Sequence, residues 1–138
     1  VLTGPYGIAK QKRMYRGRHP TSFPKGIPGI WSPEHLFTAS VNSCFMTTFL
    51  AIAENSRLEF DAFDCKATGT LEQVDGKFTM SEVLLEPRVT IVHDNDRDRA
   101  ERVLLRTESN CLISNSIKSR VTMRTSVEVS EGKREKLG

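Results

Sequence analysis

The 138-residue chain predicts an α+β domain in which an antiparallel sheet packs on a long helix. Three observations lead there. The stretch 32–56 opens on a helix cap and repeats apolar residues at helical spacing. Asp75-Gly76 separates two alternating runs, as a tight hairpin turn does. Residues 120–129 then alternate at period two, which is the pattern of a strand with one covered face.

In chain order, Gly4-Pro5-Tyr6-Gly7 reads as a tight turn among short strand-like pieces. From His19 to Trp31, prolines and glycines mark a rigid loop whose Phe23, Ile27, Ile30 and Trp31 need something to pack against. Ser32 is a good N-cap, because its hydroxyl accepts from free first-turn N–H groups. Pro33 suits the first helical position and Glu34 favours the positive end of the helix dipole. Leu36, Phe37, Val41, Cys44, Phe45, Thr48, Phe49 and Ile52 form the expected apolar stripe, and Asn55-Ser56 is the first breaker. The helix should therefore run from Pro33 to about Ser56, spanning roughly 36 Å. With Met46 and Leu50 added, its apolar residues circle most of its surface, more than one sheet face covers. That excess predicts an obligate homodimer with a large apolar interface.

Phe63, Cys65, Ala67, Gly69 and Leu71 form one face of the next strand. The return strand carries Phe78 and Met80 in one register and Val83, Leu85, Val89 and Ile91 in the other, so a bulge is expected between Met80 and Val83. Pro87 implies an edge position or an irregularity. Asp94 or Asn95 caps a second helix with Ala100, Val103, Leu104 and Thr107 as its buried stripe, ending just before Cys111. A helical turn over Ile113 to Ile117 and a last strand at 120–129 complete a single domain, residues 1–138.

Composition narrows the function classes. A net charge of +3, with positive clusters near the two ends, reads as solvated termini and not as a nucleic-acid surface. No uninterrupted apolar run reaches the roughly 18 residues of a membrane span, and the first residues, lacking a charged start before an apolar core, do not read as a signal peptide. Three cysteines make no disulfide framework, so a reducing, cytoplasmic setting is expected. No CxxC occurs and His19, His35 and His93 lack paired-ligand spacing, so neither metal nor cofactor is expected. Cys44 lies mid-helix among Ser, Asn and Thr, and Cys111 at a helix exit. By spacing alone each reads more readily as an inert buried residue than as a nucleophile.

The stretches Ser32-Pro33-Glu34-His35-Leu36-Phe37, Ser43-Cys44-Phe45 and Asn110-Cys111-Leu112-Ile113-Ser114-Asn115 resemble the OsmC/Ohr family of thiol-dependent peroxidases. Cys44 follows Glu34 by ten residues and Cys111 follows Cys44 by 67, as the paired cysteines of that family do, and the resemblance covers about 26–129. It implies an OsmC-like fold, an intertwined homodimer and active sites at the dimer interface. It implies that Cys44 is the peroxidatic cysteine, Cys111 the resolving one, and Glu34 part of the active-site network, serving the Cys44 of the other chain. The implied activity reduces organic hydroperoxides to alcohols through a Cys44 sulfenic acid and a Cys44–Cys111 disulfide, in oxidative-stress defence, with a small thiol or dithiol as reductant. The alternative is a non-catalytic protein of the same fold that binds an apolar ligand at the dimer interface. Pro5 stands where the Ohr branch carries an activating arginine, leaving Arg13, Arg16, Arg18 and His35 as candidates for that task. Cys65 matches no family motif and reads as core.

Overall fold

The computed structural model describes residues 32–131. The expected turn at 4–7, the loop at 19–31, the cations Arg13, Arg16 and Arg18 and the basic tail lie outside the described residues. Helix α1 runs Pro33–Asn55, followed by β1 (Phe60–Val74), β2 (Lys77–Ile91), a 3-10 turn (Asp94–Asp96), α2 (Arg97–Asn110), α3 (Leu112–Ser116), β3 (Arg120–Met123) and β4 (Ser126–Val129).

Local chemistry accounts for the ends of α1. The Ser32 hydroxyl accepts from the His35 N–H, and the Ser32 N–H donates to the His35 ring at 2.9 Å, a reciprocal capping box with His where Glu or Gln is usual. Asp75 (φ 50°) and Gly76 (φ 78°) both adopt the left-handed backbone that a two-residue hairpin turn requires. The expected bulge falls at Ser81, where the pairing steps from Thr70↔Glu82 to Leu71↔Met80.

The sheet corrects the expectation of antiparallel pairing throughout. β1 and β2 are antiparallel, but β3 and β4 both pair parallel to β2, on its other side. The physical reason is the connection: α2 and α3 carry the chain back across the sheet, so the last strand starts at the same end as β2. The single last strand also divides in two at Arg124-Thr125. The Leu85 and Ile91 carbonyls accept from the Arg124 and Ser130 N–H groups, so odd-numbered residues of β2 turn their backbone groups toward β3 and β4. Pro87, without an N–H, therefore faces the break. Pro87 thus sits in the central strand of the described sheet, and the irregularity it imposes falls on its neighbour. Glu101 of α2 accepts the Thr125 hydroxyl at 2.9 Å, and Arg97 donates to the Val127 carbonyl at 3.1 Å, tying α2 to this broken strand.

The core lies between α1, the sheet and α2. Phe45, Met46 and Phe49 of α1 are fully buried with Cys65 and Ala67 of β1, Val83, Leu85, Val89 and Ile91 of β2, and Leu104 of α2. Burial of each large apolar side chain contributes about 1.5–3 kcal/mol. Phe49 stacks on Phe63 and meets Phe60 edge-on. The stripe of α2 is buried as its spacing predicts. That of α1 is turned: the inward face also carries His35, Thr38 and Asn42, while Leu36 is 55% exposed. Phe37, Cys44, Thr48 and Ile52 are half-buried. By length and composition α1 also suffices to cross a membrane, which counting uninterrupted apolar runs overlooked because Ser and Thr break them up. Its fully buried Asn42 donates to the Cys65 carbonyl of β1 at 3.0 Å, the contact of a core helix.

α1 approaches the sheet tightly at Gly69, where a Cβ would run into the Thr38 hydroxyl and stand 2.8 Å from Met80 Cε. Gly69→Ala should therefore lower stability by about 1–3 kcal/mol through overpacking. Thermal or urea unfolding of the two proteins measures this, and an unchanged midpoint would show that the helix yields there without cost.

Candidate active site

Cys44 and Cys111 are brought together from distant parts of the chain. Cys44 projects half-buried from the middle of α1. Cys111 is fully buried and is the single extended residue (φ −72°, ψ 110°) that ends α2 and begins α3. The surrounding motif builds this kink: the Asn110 amide donates to the Arg106 carbonyl at 2.7 Å, and the Asn115 amide bridges back to the Ser109 carbonyl at 3.0 Å. A backbone bond from the Asn115 N–H to the Cys111 carbonyl closes the first turn of α3. The first N–H groups of that turn have no carbonyl four residues back to bond. Those of Leu112 and Ile113 act on the Cys44 thiol and lower its pKa.

The two thiols consequently differ. Burial pushes Cys44 up, but the Ile113 N–H, the Cys111 thiol, the Thr48 hydroxyl and the Leu112 N–H together outweigh it, and Cys44 falls below an ordinary cysteine. Burial pushes Cys111 up, the Ser114 hydroxyl and N–H oppose it, and the Cys44 sulfur beside it raises it further, so it ends above the ordinary value. These opposite signs describe one arrangement: a Cys44 thiolate accepting a hydrogen bond from a protonated Cys111. Among the described residues, none of the groups acting on Cys44 is a charged side chain.

The other candidates lie apart from this pair within the chain. Glu34 is in the first turn of α1, and ten residues of continuous helix separate it from Cys44 by about 15 Å. His35 is engaged in the cap at Ser32, nine residues from Cys44, which removes it as an activating group inside one chain. Cys65 is fully buried on β1, and burial first, then the Asp64 and Glu86 carboxylates, push its thiol far up. That is the state of an inert core cysteine. The groups that sequence reasoning missed are the Leu112 and Ile113 N–H donors and Thr48. Among the described residues, no three of His, Cys, Asp or Glu converge in a way that could hold a metal ion.

Comparison with known proteins bears on the family and the fold. A family model described as OsmC-like protein matches residues 26–126. The Bacillus subtilis protein YmaD, itself uncharacterised, is 26% identical over 117 residues, covering 80% of this chain and 78% of YmaD. The solved structure of VCA0330 from Vibrio cholerae, an OsmC-like protein of unknown function, is 27% identical and superposes with a TM-score of 0.68, covering 77% of this chain and 72% of that one. An organic hydroperoxide resistance protein, OsmC, of Legionella pneumophila is 25% identical with a TM-score of 0.62, covering 77% and 75%.

The asymmetry of the two thiols is directly measurable. With iodoacetamide under native conditions, Cys44 should label with a pH midpoint below that of an ordinary thiol, because only its thiolate reacts and its pKa is depressed. Reactivity should be lost as the pH falls through that depressed value. Cys111 should label only at higher pH and Cys65 not at all. Peptide mass spectrometry separates the three, and equal labelling of Cys44 and Cys111 would contradict the assignment.

Proposed function

The chain belongs to the OsmC-like protein family, and on that premise we propose that it is a thiol-dependent peroxidase acting on organic hydroperoxides. The observation that carries this reading is the meeting of Cys44 and Cys111, with the half-buried thiol low and the fully buried one high. The Cys44 thiolate attacks an oxygen of the O–O bond, forming Cys44–SOH, and the bond's electron pair leaves on the other oxygen as an alkoxide that takes up a proton to become the alcohol. Cys111 then condenses with the sulfenic acid, forming the Cys44–Cys111 disulfide and releasing water. A small dithiol reduces the disulfide and is itself oxidised, which restores both thiols.

Supporting details come from both sides of the sulfur. A thiolate is the competent nucleophile, and the described hydrogen-bond donors around Cys44 favour it. Leu112, 70% exposed, adjoins the pair and suits a peroxide with an alkyl group over hydrogen peroxide. The family relation to an organic hydroperoxide resistance protein points the same way. This chemistry belongs in a reducing cytoplasm, as a defence against oxidative stress. A purely ligand-binding role gives no account of a half-buried and a fully buried thiol brought together from distant parts of the chain.

We extend the reading to a homodimer. Half-buried Phe37, Leu50 and Ile52 and exposed Leu36 leave part of α1 uncovered by its own chain. Two such helices packed antiparallel across a two-fold axis would bring Glu34 of one chain near Cys44 of the other. The separation of Glu34 from Cys44 along one helix is then no obstacle to a shared site.

Cumene hydroperoxide with a dithiol tests the activity. Cys44→Ser should show no turnover above background, whereas Cys111→Ser should still be oxidised once and leave a sulfenic acid at Cys44 that dimedone traps. Mild oxidation of the unaltered protein should link Cys44 to Cys111 in peptide maps. Turnover in Cys44→Ser, or a disulfide through Cys65, would overturn the reading.

Mixed dimers test the shared site. Glu34→Ala and Cys44→Ser homodimers should each be impaired, while a hybrid of the two chains has one site with both groups and one with neither. The hybrid should therefore regain about half the activity of the unaltered dimer. A hybrid no better than its parents, or a monomer by sedimentation at micromolar concentration, would contradict the arrangement.

A further inference from the structure

We propose that Thr48 is a hydroxyl donor to the reacting sulfur of Cys44. Ser and Thr hydroxyls inside helices ordinarily bond back to the carbonyl three or four residues earlier. Five hydroxyls here do so: Ser40 to Phe37 at 2.7 Å, Thr47 to Cys44 at 3.1 Å, Thr107 to Val103 at 2.7 Å, Ser109 to Leu105 at 3.1 Å and Ser116 to Leu112 at 2.7 Å. For Thr48 the carbonyl four residues earlier is that of Cys44, and the Thr47 hydroxyl already donates to it. Thr48 Oγ1 stands instead 4.0 Å from Cys44 Sγ, one helical turn further on and half-buried.

The direction of this contact follows from the protonation state. Between a neutral thiol and a hydroxyl either group can donate, but a thiolate has no proton, so Thr48 becomes the only possible donor. The hydroxyl keeps its proton throughout and no bond to sulfur forms. Its companions at the sulfur among the described residues are the Cys111 thiol and the Leu112 and Ile113 N–H groups, all uncharged. Among these few neutral donors, the loss of one removes a share of what holds the thiolate. Half-burial of both side chains limits how well water replaces it. The hydroxyl is also among the groups that lower the Cys44 thiol.

This assignment deepens the peroxidase reading, since it concerns the same sulfur, but its test needs no peroxide. The full-length protein, Thr48→Val, which keeps the shape without the hydroxyl, and Thr48→Ser, which restores it, are alkylated with iodoacetamide across a pH series. Labelling is quantified on the Cys44 peptide. Thr48→Val should raise the midpoint by about 0.5–1 pH unit, which is about three- to tenfold less thiolate below the midpoint. Thr48→Ser should return to the unaltered profile. An unmoved profile in Thr48→Val, or a displacement in Thr48→Ser as large as in Thr48→Val, would overturn the proposal, the latter making Thr48 a packing residue. Circular dichroism verifies folding, and Thr48→Ala provides the same comparison if the valine protein does not fold. Cumene hydroperoxide consumption by the same proteins separates the two claims. A shifted alkylation profile with no peroxide reduction by any of them would sustain Thr48 and refute the peroxidase.

Discussion

The bond from the Asn42 amide to the Cys65 carbonyl fixes which way α1 faces. A helix apolar on most of its surface has no hydrophobic stripe to choose its inward side, because several rotations bury similar area. A fully buried amide has less freedom, since a rotation that keeps it buried but moves it off the Cys65 carbonyl loses the bond its N–H donates. Thr38, one turn earlier, sits against Gly69 and limits how far the helix slides along β1. The position of Cys44 is then determined. Two residues beyond Asn42, at 100° each, it points about 200° away from the sheet contact, so it is free to meet α3.

The same geometry explains how a mid-helix thiol can become reactive. The middle of α1 offers Cys44 little from its own dipole, because partial charges concentrate at helix ends. The N–H groups come from α3, whose start is fixed by the bend at Cys111. In the proposed reaction one residue therefore serves twice: Cys111 resolves the sulfenic acid, and its extended backbone sets the turn whose N–H groups face the nucleophile. The burial that keeps Cys111 protonated also keeps it a donor until its partner is oxidised.

Local chemistry in the sequence was a good guide to local structure. Ser32, Pro33 and Asn55 marked the ends of α1, Asp75-Gly76 the hairpin, and Ala100, Val103, Leu104 and Thr107 the buried stripe of α2. Pairing direction was not legible, because alternation in 120–129 is the same whether a strand runs parallel or antiparallel to its neighbour. The break at Arg124-Thr125 was signalled only indirectly, by a proline 37 residues earlier in another strand. The inward face of α1 was misread because Thr38 and Asn42, polar residues, are buried and Leu36 is not. At the site, the two cysteines stood out by spacing and resemblance. Backbone N–H groups have no sequence signature, and a threonine one turn after a cysteine is unremarkable until its usual carbonyl partner is seen to be occupied.

The broken last strand has a bearing on solubility. A straight outer strand offers a row of unpaired amides and carbonyls on which a neighbouring molecule can grow a further strand, the first step toward aggregation. Here the even-numbered residues of β3 and β4 direct their backbone groups to β2, as Arg124 and Ser130 show, so Val127 directs its carbonyl outward. Arg97 already occupies that carbonyl. The division at Arg124-Thr125 interrupts the row, and exposed Arg120, Arg124 and Glu128 add charge along it. Among the described residues, a proline in the central strand and an arginine on a helix thereby make this border a poor template, a safeguard of practical value to a protein proposed to work where oxidised and partly unfolded chains accumulate.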